Sequence, residues 1–320
     1  MFAVYAESFD DQDPLRGLVV GEQPRPEPRP GWSVIRVQAA SVNHHDVWTL
    51  RGVGITEDRL PMILGCDAAG LDADGDPVLL YSVIADPTYA DESMDPGRSL
   101  LSEVYPGTFA DYVSVPDRNV IPLPAGFSMA EAACLPTAWL TAYRMLATRS
   151  GLEPGDTVLV QGAGGGVATA CIVLGRLMGL RVWVTSRDQG KRAGALELGA
   201  HEAFESGARL PYRVDAVMET VGAATWDHSL KSLRPGGRIV VSGATSGPNP
   251  PADLSRVFFK QLEVVGSTMG TRDELRRLVS LLEVTGARPL IEREMPMTQA
   301  PEALRAVAEG HVFGKIVLTR

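Results

Sequence analysis

The pattern of apolar and polar residues divides the chain into a central part and two flanking parts. In the first third, short β-like runs such as 33–40 and 111–115 are separated by proline, glycine and other turn residues. The same texture returns near the C terminus, whereas the central part alternates between strand and helix periods. The pattern predicts a β-rich domain formed by residues 1–125 and 287–320, with residues 126–286 inserted as a second domain.

The central part repeats a strand–helix unit. Continuous β-branched runs such as Thr157-Val-Leu-Val indicate strands that are buried on both faces, as in a parallel sheet. Alternation with short connections predicts a doubly wound α/β sheet, preceded by a long helix over 129–149 that Ser128 caps. The predicted strands are 157–161, 181–185, 214–220, 238–242 and 262–266, and the predicted helices are 167–178, 189–198, 224–233, 252–260 and 273–283.

The first central strand runs into a glycine-rich turn and then directly into a helix. Glycines let the backbone approach a pyrophosphate, and the helix N-terminus offers unpaired N–H groups to it. The spacing Ala163-x-Gly165-x-x-Ala168 is a degenerate form of the dinucleotide fingerprint, so a tight turn without a ligand is the alternative interpretation. The residues predicted to hold the pyrophosphate are Gly164, Gly165, Gly166 and Val167.

The end of the second central strand indicates which dinucleotide binds. An NAD site usually has Asp or Glu about 20 residues after the glycines, whereas an NADP site replaces this acid and supplies a cation. Here Ser186 and Arg187 follow the strand, and Lys191 comes one turn later. This pattern predicts NADPH. The alternatives are that Arg187 and Lys191 are solvated surface charges, or that Asp188 binds a ribose.

Composition excludes several classes of partner. The chain has 320 residues and a net charge of −9, which argues against binding to nucleic acids or anionic membranes. No apolar run reaches the roughly 18 residues that span a bilayer, and the first residues lack the features of a signal peptide. The three cysteines, Cys66, Cys134 and Cys171, are few and odd in number, which favours a reducing compartment. We expect a cytoplasmic protein with a small-molecule substrate.

Six segments, in order along the chain, resemble motifs of the medium-chain dehydrogenase/reductase superfamily, particularly its quinone oxidoreductase-like branch. They begin at Ser41 (SVNHHD), Pro61 (PMILGCDAAG), Gly107 (GTFADYV), Leu135 (LPTAWLTAYR), Leu233 (LRPGGR) and Gly314 (GKIVL). The resemblance covers nearly the whole chain. It implies a GroES-like β-rich domain, a Rossmann domain and a homodimer joined by edge strands near residues 262–270.

The resemblance also identifies candidate zinc ligands. Alcohol dehydrogenases of this superfamily hold a catalytic zinc with Cys, His and Cys or Asp, and the corresponding residues here are Asn43, Cys66 and Thr137. Because a catalytic zinc needs about three protein ligands, we expect no metal. A different metal site is also conceivable, but adjacent histidines on a strand or loop point in different directions and would not easily bind one ion together. Its possible ligands are His44, His45, Asp46 and Cys66.

Without zinc, an alcohol substrate lacks the Lewis acid that stabilises its alkoxide. A quinone or an α,β-unsaturated carbonyl is already electron-poor and can accept hydride from NADPH without a metal. The resemblance implies catalytic roles for Asn43, which could bond the nicotinamide ribose or the substrate oxygen, and for His45. His45 takes the place of a proton-relay hydroxyl and could act as a general acid, although a purely structural histidine is the alternative. The further cofactor contacts that the resemblance implies are Asn43, Thr137, Val221, Gly243 and Ala244.

The sequence therefore favours an NADPH-dependent oxidoreductase that reduces a quinone or an α,β-unsaturated carbonyl without zinc. Two other functions remain open. One is a zinc-type alcohol dehydrogenase. The other is a non-catalytic protein that binds NADPH in a regulatory or structural role.

Overall fold

The computed structural model describes residues 1–320. Its secondary structure begins with short strands, as the turn-rich first part of the sequence predicts. The elements of this part are β1 (Phe2–Ala6), β2 (Leu18–Glu22), β3 (Trp32–Ser41), α1 (His44–Leu50), β4 (Met62–Ile63), β5 (Ala69–Leu71), β6 (Pro77–Leu80), β7 (Val83–Ile84), β8 (Ser99–Leu100), β9 (Tyr112–Pro116), β10 (Val120–Pro122) and α2 (Met129–Ala133).

The central part alternates strands and helices. Its elements are α3 (Leu140–Tyr143), β11 (Thr157–Val160), α4 (Gly166–Leu177), β12 (Arg181–Thr185), α5 (Gln189–Glu197), β13 (Glu202–Phe204), β14 (Val214–Glu219), α6 (Ala223–Ser232), β15 (Leu233–Val241), α7 (Leu254–Phe259) and β16 (Glu263–Gly266). The chain ends with α8 (Arg272–Thr285), β17 (Ile291–Pro296), α9 (Ala300–Ala308) and β18 (Lys315–Thr319).

The chain forms two compact units. One contains Met1–Ala138 and Thr271–Arg320, and the other contains Trp139–Gly270. The predicted boundaries lie instead at 125/126 and 286/287. At the first boundary the difference arises from α2, which packs against β3 and β18 of the β-rich unit.

The β-rich unit is built around a sheet with the order β10-β6-β5-β3-β18-β17, and β9 also pairs with β3. The C-terminal strand β18 lies antiparallel to β3, with Val317 opposite Ser41. This pairing brings the end of the chain beside the turn that leads from β3 into α1. The core beneath the sheet consists of apolar side chains, including Ile35, Leu64 and Phe109.

The second unit is a six-stranded parallel sheet with the order β13-β12-β11-β14-β15-β16. This is the order of a Rossmann sheet, in which ligands bind outside the carboxyl ends of the strands, at the point where the strand order reverses. The short strand β13 is absent from the sequence-based prediction. It has only three residues, too few for an alternating pattern to be recognised.

The helix predicted over 129–149 is interrupted. After α2, residues Leu135–Trp139 and Arg144–Arg149 have π-helical geometry. Pro136 lies in the first of these segments and has no N–H for the α-helical hydrogen-bond ladder, so the backbone there widens. No helix of the chain is both long and apolar enough to cross a membrane.

Candidate active site

The glycine-rich turn joins the carboxyl end of β11 to the N-terminus of α4, whose N-cap is Gly165. Gly164 has a φ of +130°, and a Cβ at this position would lie 2.7 Å from Lys191 Cδ and 3.2 Å from Lys191 Nζ. The positive φ favours glycine at this position, and the missing Cβ lets the lysine side chain lie directly against the turn. The structure brings Lys191 beside the predicted phosphate-binding residues, a contact that sequence spacing alone does not give.

The segment after β12 is held by hydrogen bonds between side chains and backbone groups of the same segment. Ser186 is buried, its Oγ accepts the Asp188 N–H at 3.2 Å, and its carbonyl oxygen accepts from Arg192 Nη1 at 2.7 Å. Asp188 caps α5, since its Oδ1 accepts the Lys191 N–H at 2.8 Å, and this hydrogen bond lowers the pKa of the Asp188 carboxyl. The capping contact points this carboxylate toward its own helix, while Arg187 is exposed.

The loop after β14 lies against the glycine-rich turn, and the loop after β15 lies against the loop after β14. A Cβ at Gly162 would come within 2.6 Å of Val221 Cγ2, and one at Gly222 would come within 2.9 Å of Ala244 Cα. The fully buried carboxylate of Glu219 accepts from the Val221 and Gly222 N–H groups at 2.8 and 3.0 Å. Sequence analysis missed Glu219, which fixes the loop that carries Val221.

In the β-rich unit, α1 starts immediately after Asn43. Asp46 Oδ2 accepts the Asn43 N–H at 2.8 Å, and Oδ1 accepts the Gly65 N–H at 3.1 Å. Asp46 therefore caps α1 and ties it to the loop after β4. Burial raises the pKa of Asp46 to about 6.

Asn43 belongs to a buried polar cluster whose centre is Asp67. The Asn43 amide donates to Asp67 Oδ2 at 2.7 Å, and Thr137 Oγ1 donates to Asp67 Oδ1 at 2.5 Å. Lys315 Nζ donates to Asn43 Oδ1 at 2.6 Å and lies 3.9 Å from Asp67 Oδ2. The two predicted residues, Asn43 and Thr137, thus come together, but through Asp67 and Lys315, which sequence analysis did not single out.

At the positions that correspond to the zinc ligands of the alcohol dehydrogenases, this chain has Asn43, Cys66 and Thr137, of which only Cys66 is a strong zinc ligand. Asn43 turns its amide group toward Cys66 Sγ, at 3.6 Å, and Thr137 is bonded to Asp67. Burial and the neighbouring Asp67 carboxylate raise the pKa of the Cys66 thiol well above its usual value. The Lys315 ammonium lies 2.6 Å from Asn43 Oδ1.

His45, at the start of α1, pairs with Glu103 in the segment that follows β8. His45 Nε2 lies 3.0 Å from Glu103 Oε1, and the His45 side chain is only 15% exposed. Burial alone would lower the pKa of His45, but the hydrogen bond to Glu103 and the nearby Asp46 carboxylate raise it overall. His45 Nδ1 is buried and has no hydrogen-bond partner.

Three of the four candidate ligands of the alternative metal site lie close together in the structure. A ring nitrogen of His45, a carboxylate oxygen of Asp46 and Cys66 Sγ lie within 4.8 Å of one another, and His44 is not in this group. Each Asp46 oxygen already accepts a backbone N–H. His45, Asp46 and Cys66 are therefore the residues that could hold a metal here, with Asp46 also committed to the backbone.

Comparison with known proteins agrees with this architecture. Residues 29–125 match the family model "Alcohol dehydrogenase GroES-like domain", and residues 166–284 match the model "Zinc-binding dehydrogenase". A solved NAD-dependent alcohol dehydrogenase has a TM-score of 0.92 and 32% identity, with 100% of both chains covered.

Two curated relatives cover most of the chain. The acryloyl-coenzyme A reductase of Metallosphaera sedula is 27% identical over 95% of this chain and 97% of its own length. The human quinone oxidoreductase is 26% identical over 92% of this chain and 90% of its own. Together with the two family models and the order of the parallel sheet, these similarities show that the chain belongs to the medium-chain dehydrogenase/reductase superfamily of oxidoreductases.

Proposed function

We propose that this protein transfers hydride from NADPH to a quinone or an α,β-unsaturated carbonyl without a catalytic zinc. The observation that carries the proposal is the largely buried His45–Glu103 pair, which lies beside Cys66 and can supply a proton to a bound acceptor. The similarity to relatives named quinone oxidoreductase and acryloyl-coenzyme A reductase supports this class of acceptor.

The superfamily fold implies a nicotinamide cofactor, which supplies the hydride when bound. In the proposal, the first N–H groups of α4 and the glycine-rich turn, Gly164 to Val167, bind the pyrophosphate. Ser186 leaves space for the 2′-phosphate, and Arg187 and Lys191 neutralise its charge. The loops that carry Val221, Gly243 and Ala244 border the cofactor.

His45 is the proposed proton donor. With Nε2 bonded to the Glu103 carboxylate, the protonated ring has its second N–H, on Nδ1, left to donate. Because Nδ1 is buried, the proposal requires that the substrate oxygen reach this N–H on binding, where it can be polarised and protonated as negative charge develops. Asn43 has its amide hydrogens committed to Asp67 and the Ser41 carbonyl oxygen, so we propose that it acts through its amide oxygen or by positioning its neighbours.

A screen of NADPH oxidation tests this function. Quinones, enones, enals and simple aldehydes should be compared, each with and without a chelator, and primary alcohols should be tested with NADP⁺ and NAD⁺. We expect turnover with quinones or enones. Oxidation of alcohols that requires zinc would favour the alcohol dehydrogenase alternative, which the similarity to a solved NAD-dependent alcohol dehydrogenase keeps open. NADPH binding without turnover of any acceptor would favour the non-catalytic alternative.

We predict that metal analysis of protein purified without chelators will find far less than one zinc per chain. The reason is that Asn43 and Thr137 stand at two of the three ligand positions, and that the Lys315 ammonium donates to Asn43 Oδ1. Prolonged dialysis against a chelator should leave the turnover of the best acceptor unchanged. One tightly held zinc per chain, with activity lost on its removal and restored by its return, would refute the zinc-free mechanism.

We propose further that the protein forms a homodimer through the β16 edge of the parallel sheet. β16 pairs only with β15, so its outer edge presents unpaired backbone groups. Large apolar side chains are exposed beside it, notably Phe258 and Phe259 of α7, which are 62% and 79% exposed. A second copy related by a two-fold axis would cover both features.

Replacing Phe259 by glutamate should therefore convert dimer to monomer, because it introduces charge into the proposed interface. Light scattering after size-exclusion chromatography measures the mass directly. The matched control is Leu196→Glu, which changes an exposed leucine of α5 in the same unit. A wild-type monomer, or a Phe259→Glu protein that remains dimeric, would contradict this interface.

A further inference from the structure

Asp67 is a buried carboxylate that gathers hydrogen-bond donors from several elements of the β-rich unit. Its Oδ2 accepts from Ser41 Oγ and from the Asn43 amide, both at 2.7 Å. Its Oδ1 accepts from Thr137 Oγ1 at 2.5 Å, with Ser82 Oγ at 3.4 Å. An ionised carboxylate can only accept hydrogen bonds, so the hydroxyl hydrogens of Ser41 and Thr137 and an amide hydrogen of Asn43 point toward Asp67. The Ser82 hydrogen goes instead to the Cys66 carbonyl oxygen at 2.5 Å.

Lys315 fixes the orientation of the same cluster from the other side. Its buried ammonium donates to the Val42 carbonyl oxygen at 2.8 Å and to Asn43 Oδ1 at 2.6 Å. An ammonium can only donate, and the Asp67 carboxylate can only accept. Asn43 therefore has one amide orientation that satisfies both neighbours, with its oxygen toward Lys315 and its nitrogen toward Asp67.

Thr137 is the partly exposed member of this cluster, whereas Ser41, Asn43, Asp67 and Lys315 are buried. Because the Thr137 hydroxyl hydrogen is directed to Asp67, Oγ1 can only accept from other groups. Cys66 Sγ lies 3.4 Å from Oγ1 and its thiol can donate to one lone pair, which leaves the other lone pair for a ligand. We propose that Asp67 is a positioning residue that makes Thr137 a hydrogen-bond acceptor, so that the site favours a ligand carrying a hydroxyl or N–H donor. The inference rests on the proposed function, because reduction of a quinone yields a hydroquinone, which carries two such hydroxyl groups.

The orientation of the Thr137 hydroxyl gives Thr137 and His45 different roles in the site. Thr137 cannot stabilise a developing oxyanion while its hydrogen is held by Asp67, which leaves that role to the unpartnered Nδ1 of His45. A hydroxyl group of the ligand, by contrast, finds an acceptor at Thr137. A ligand with a hydroxyl should therefore bind better than one in which the same oxygen is methylated.

The test compares hydroquinone with 1,4-dimethoxybenzene, in which methylation removes both donors and leaves the oxygens. Binding is measured anaerobically by calorimetry on protein saturated with NADP⁺. One well-formed hydrogen bond predicts that hydroquinone binds about three- to tenfold more tightly. Thr137→Val should abolish this preference, and the matched variant Thr137→Ser should keep it.

Asp67→Asn gives a readout that a merely structural role would not produce. An asparagine amide can donate to Thr137 Oγ1, so the threonine hydrogen turns outward and the preference should fall to one or reverse toward the dimethyl ether. A preference that persists in Thr137→Val or in Asp67→Asn would overturn the proposal. So would a wild-type protein that fails to distinguish the two probes, whether it binds both or neither.

Failure of the proposed function would appear separately, as absence of NADPH oxidation in the acceptor screen while the probe preference persists.

Discussion

Replacing His45 by asparagine is expected to lower kcat by about two to four orders of magnitude, the usual contribution of a positioned general acid. Asparagine keeps a polar side chain at the start of α1 but cannot deliver a proton at neutral pH. The substrate KM should change much less than kcat, because the lost interaction strengthens as charge develops on the substrate oxygen. Single-turnover measurements with saturating NADPH would show whether the chemical step is the one affected.

The pH dependence of the wild-type enzyme should have the sign of an acid that must be protonated. kcat should be highest at low pH and fall as the pH rises through the pKa of His45, which the Glu103 hydrogen bond helps to hold above its ordinary value. Glu103→Gln removes the negative partner but keeps a hydrogen-bond acceptor. The fall in kcat should therefore move to lower pH in this variant.

The chain offers a matched control in a second His–Glu pair. His311 Nδ1 lies 3.1 Å from Glu309 Oε2, but this pair is on the surface, where solvent screens it. His311→Asn should leave both kcat and the pH profile unchanged. A His45→Asn enzyme within threefold of wild type, or a pH profile that Glu103→Gln does not move, would remove His45 from the mechanism.

The second large effect concerns the choice of cofactor. Replacing both Arg187 and Lys191 by alanine should weaken NADPH binding by about tenfold to over a hundredfold while changing NADH binding little. The estimate takes about 1.5–3 kcal/mol for charge-assisted hydrogen bonds to a phosphate. Lys191 lies against Gly164, and Arg187 follows the end of β12, so both basic groups border the carboxyl ends of the strands.

Ser186→Asp tests the same site from the opposite direction. A carboxylate at this position would repel the 2′-phosphate and could bond a ribose hydroxyl, so NADPH affinity should fall and NADH affinity should rise. Both cofactors should be titrated at low and high salt, because contacts to the phosphate are screened by ions.

Arg213→Ala is the control for the loss of positive charge. Arg213 is exposed and immediately precedes β14, at the end of the parallel sheet opposite to the proposed cofactor site. It should affect neither cofactor. Equal affinities for NADH and NADPH in wild type, or equal losses for both in the Arg187/Lys191 double variant, would contradict the assignment of NADPH.

Much of the fold could be predicted because its signals are local. The run Thr157-Val-Leu-Val followed by glycines is sufficient to predict a buried strand, a tight turn and the start of a helix, since each depends on neighbouring residues. The sequence also showed that Asn43 and Thr137 replace two zinc ligands of the alcohol dehydrogenases, because both residues lie in motifs that could be aligned with that family. Pro136 shows a limit of periodicity, since the apolar spacing continues through a region where the α-helical ladder does not.

The sequence by itself determined the family, the order of the elements and the candidate phosphate-binding turn. Only the tertiary structure decided which side chains act together. His45 and Glu103 are 58 positions apart, and Lys315 and Asn43 are 272 positions apart. The Lys315 contact depends on β18 pairing with β3, and the Glu103 contact depends on the segment after β8 returning to α1. Local periodicity specifies which face of an element is buried, but the partners on that face are set by chain topology, which carries no signal at a fixed sequence spacing.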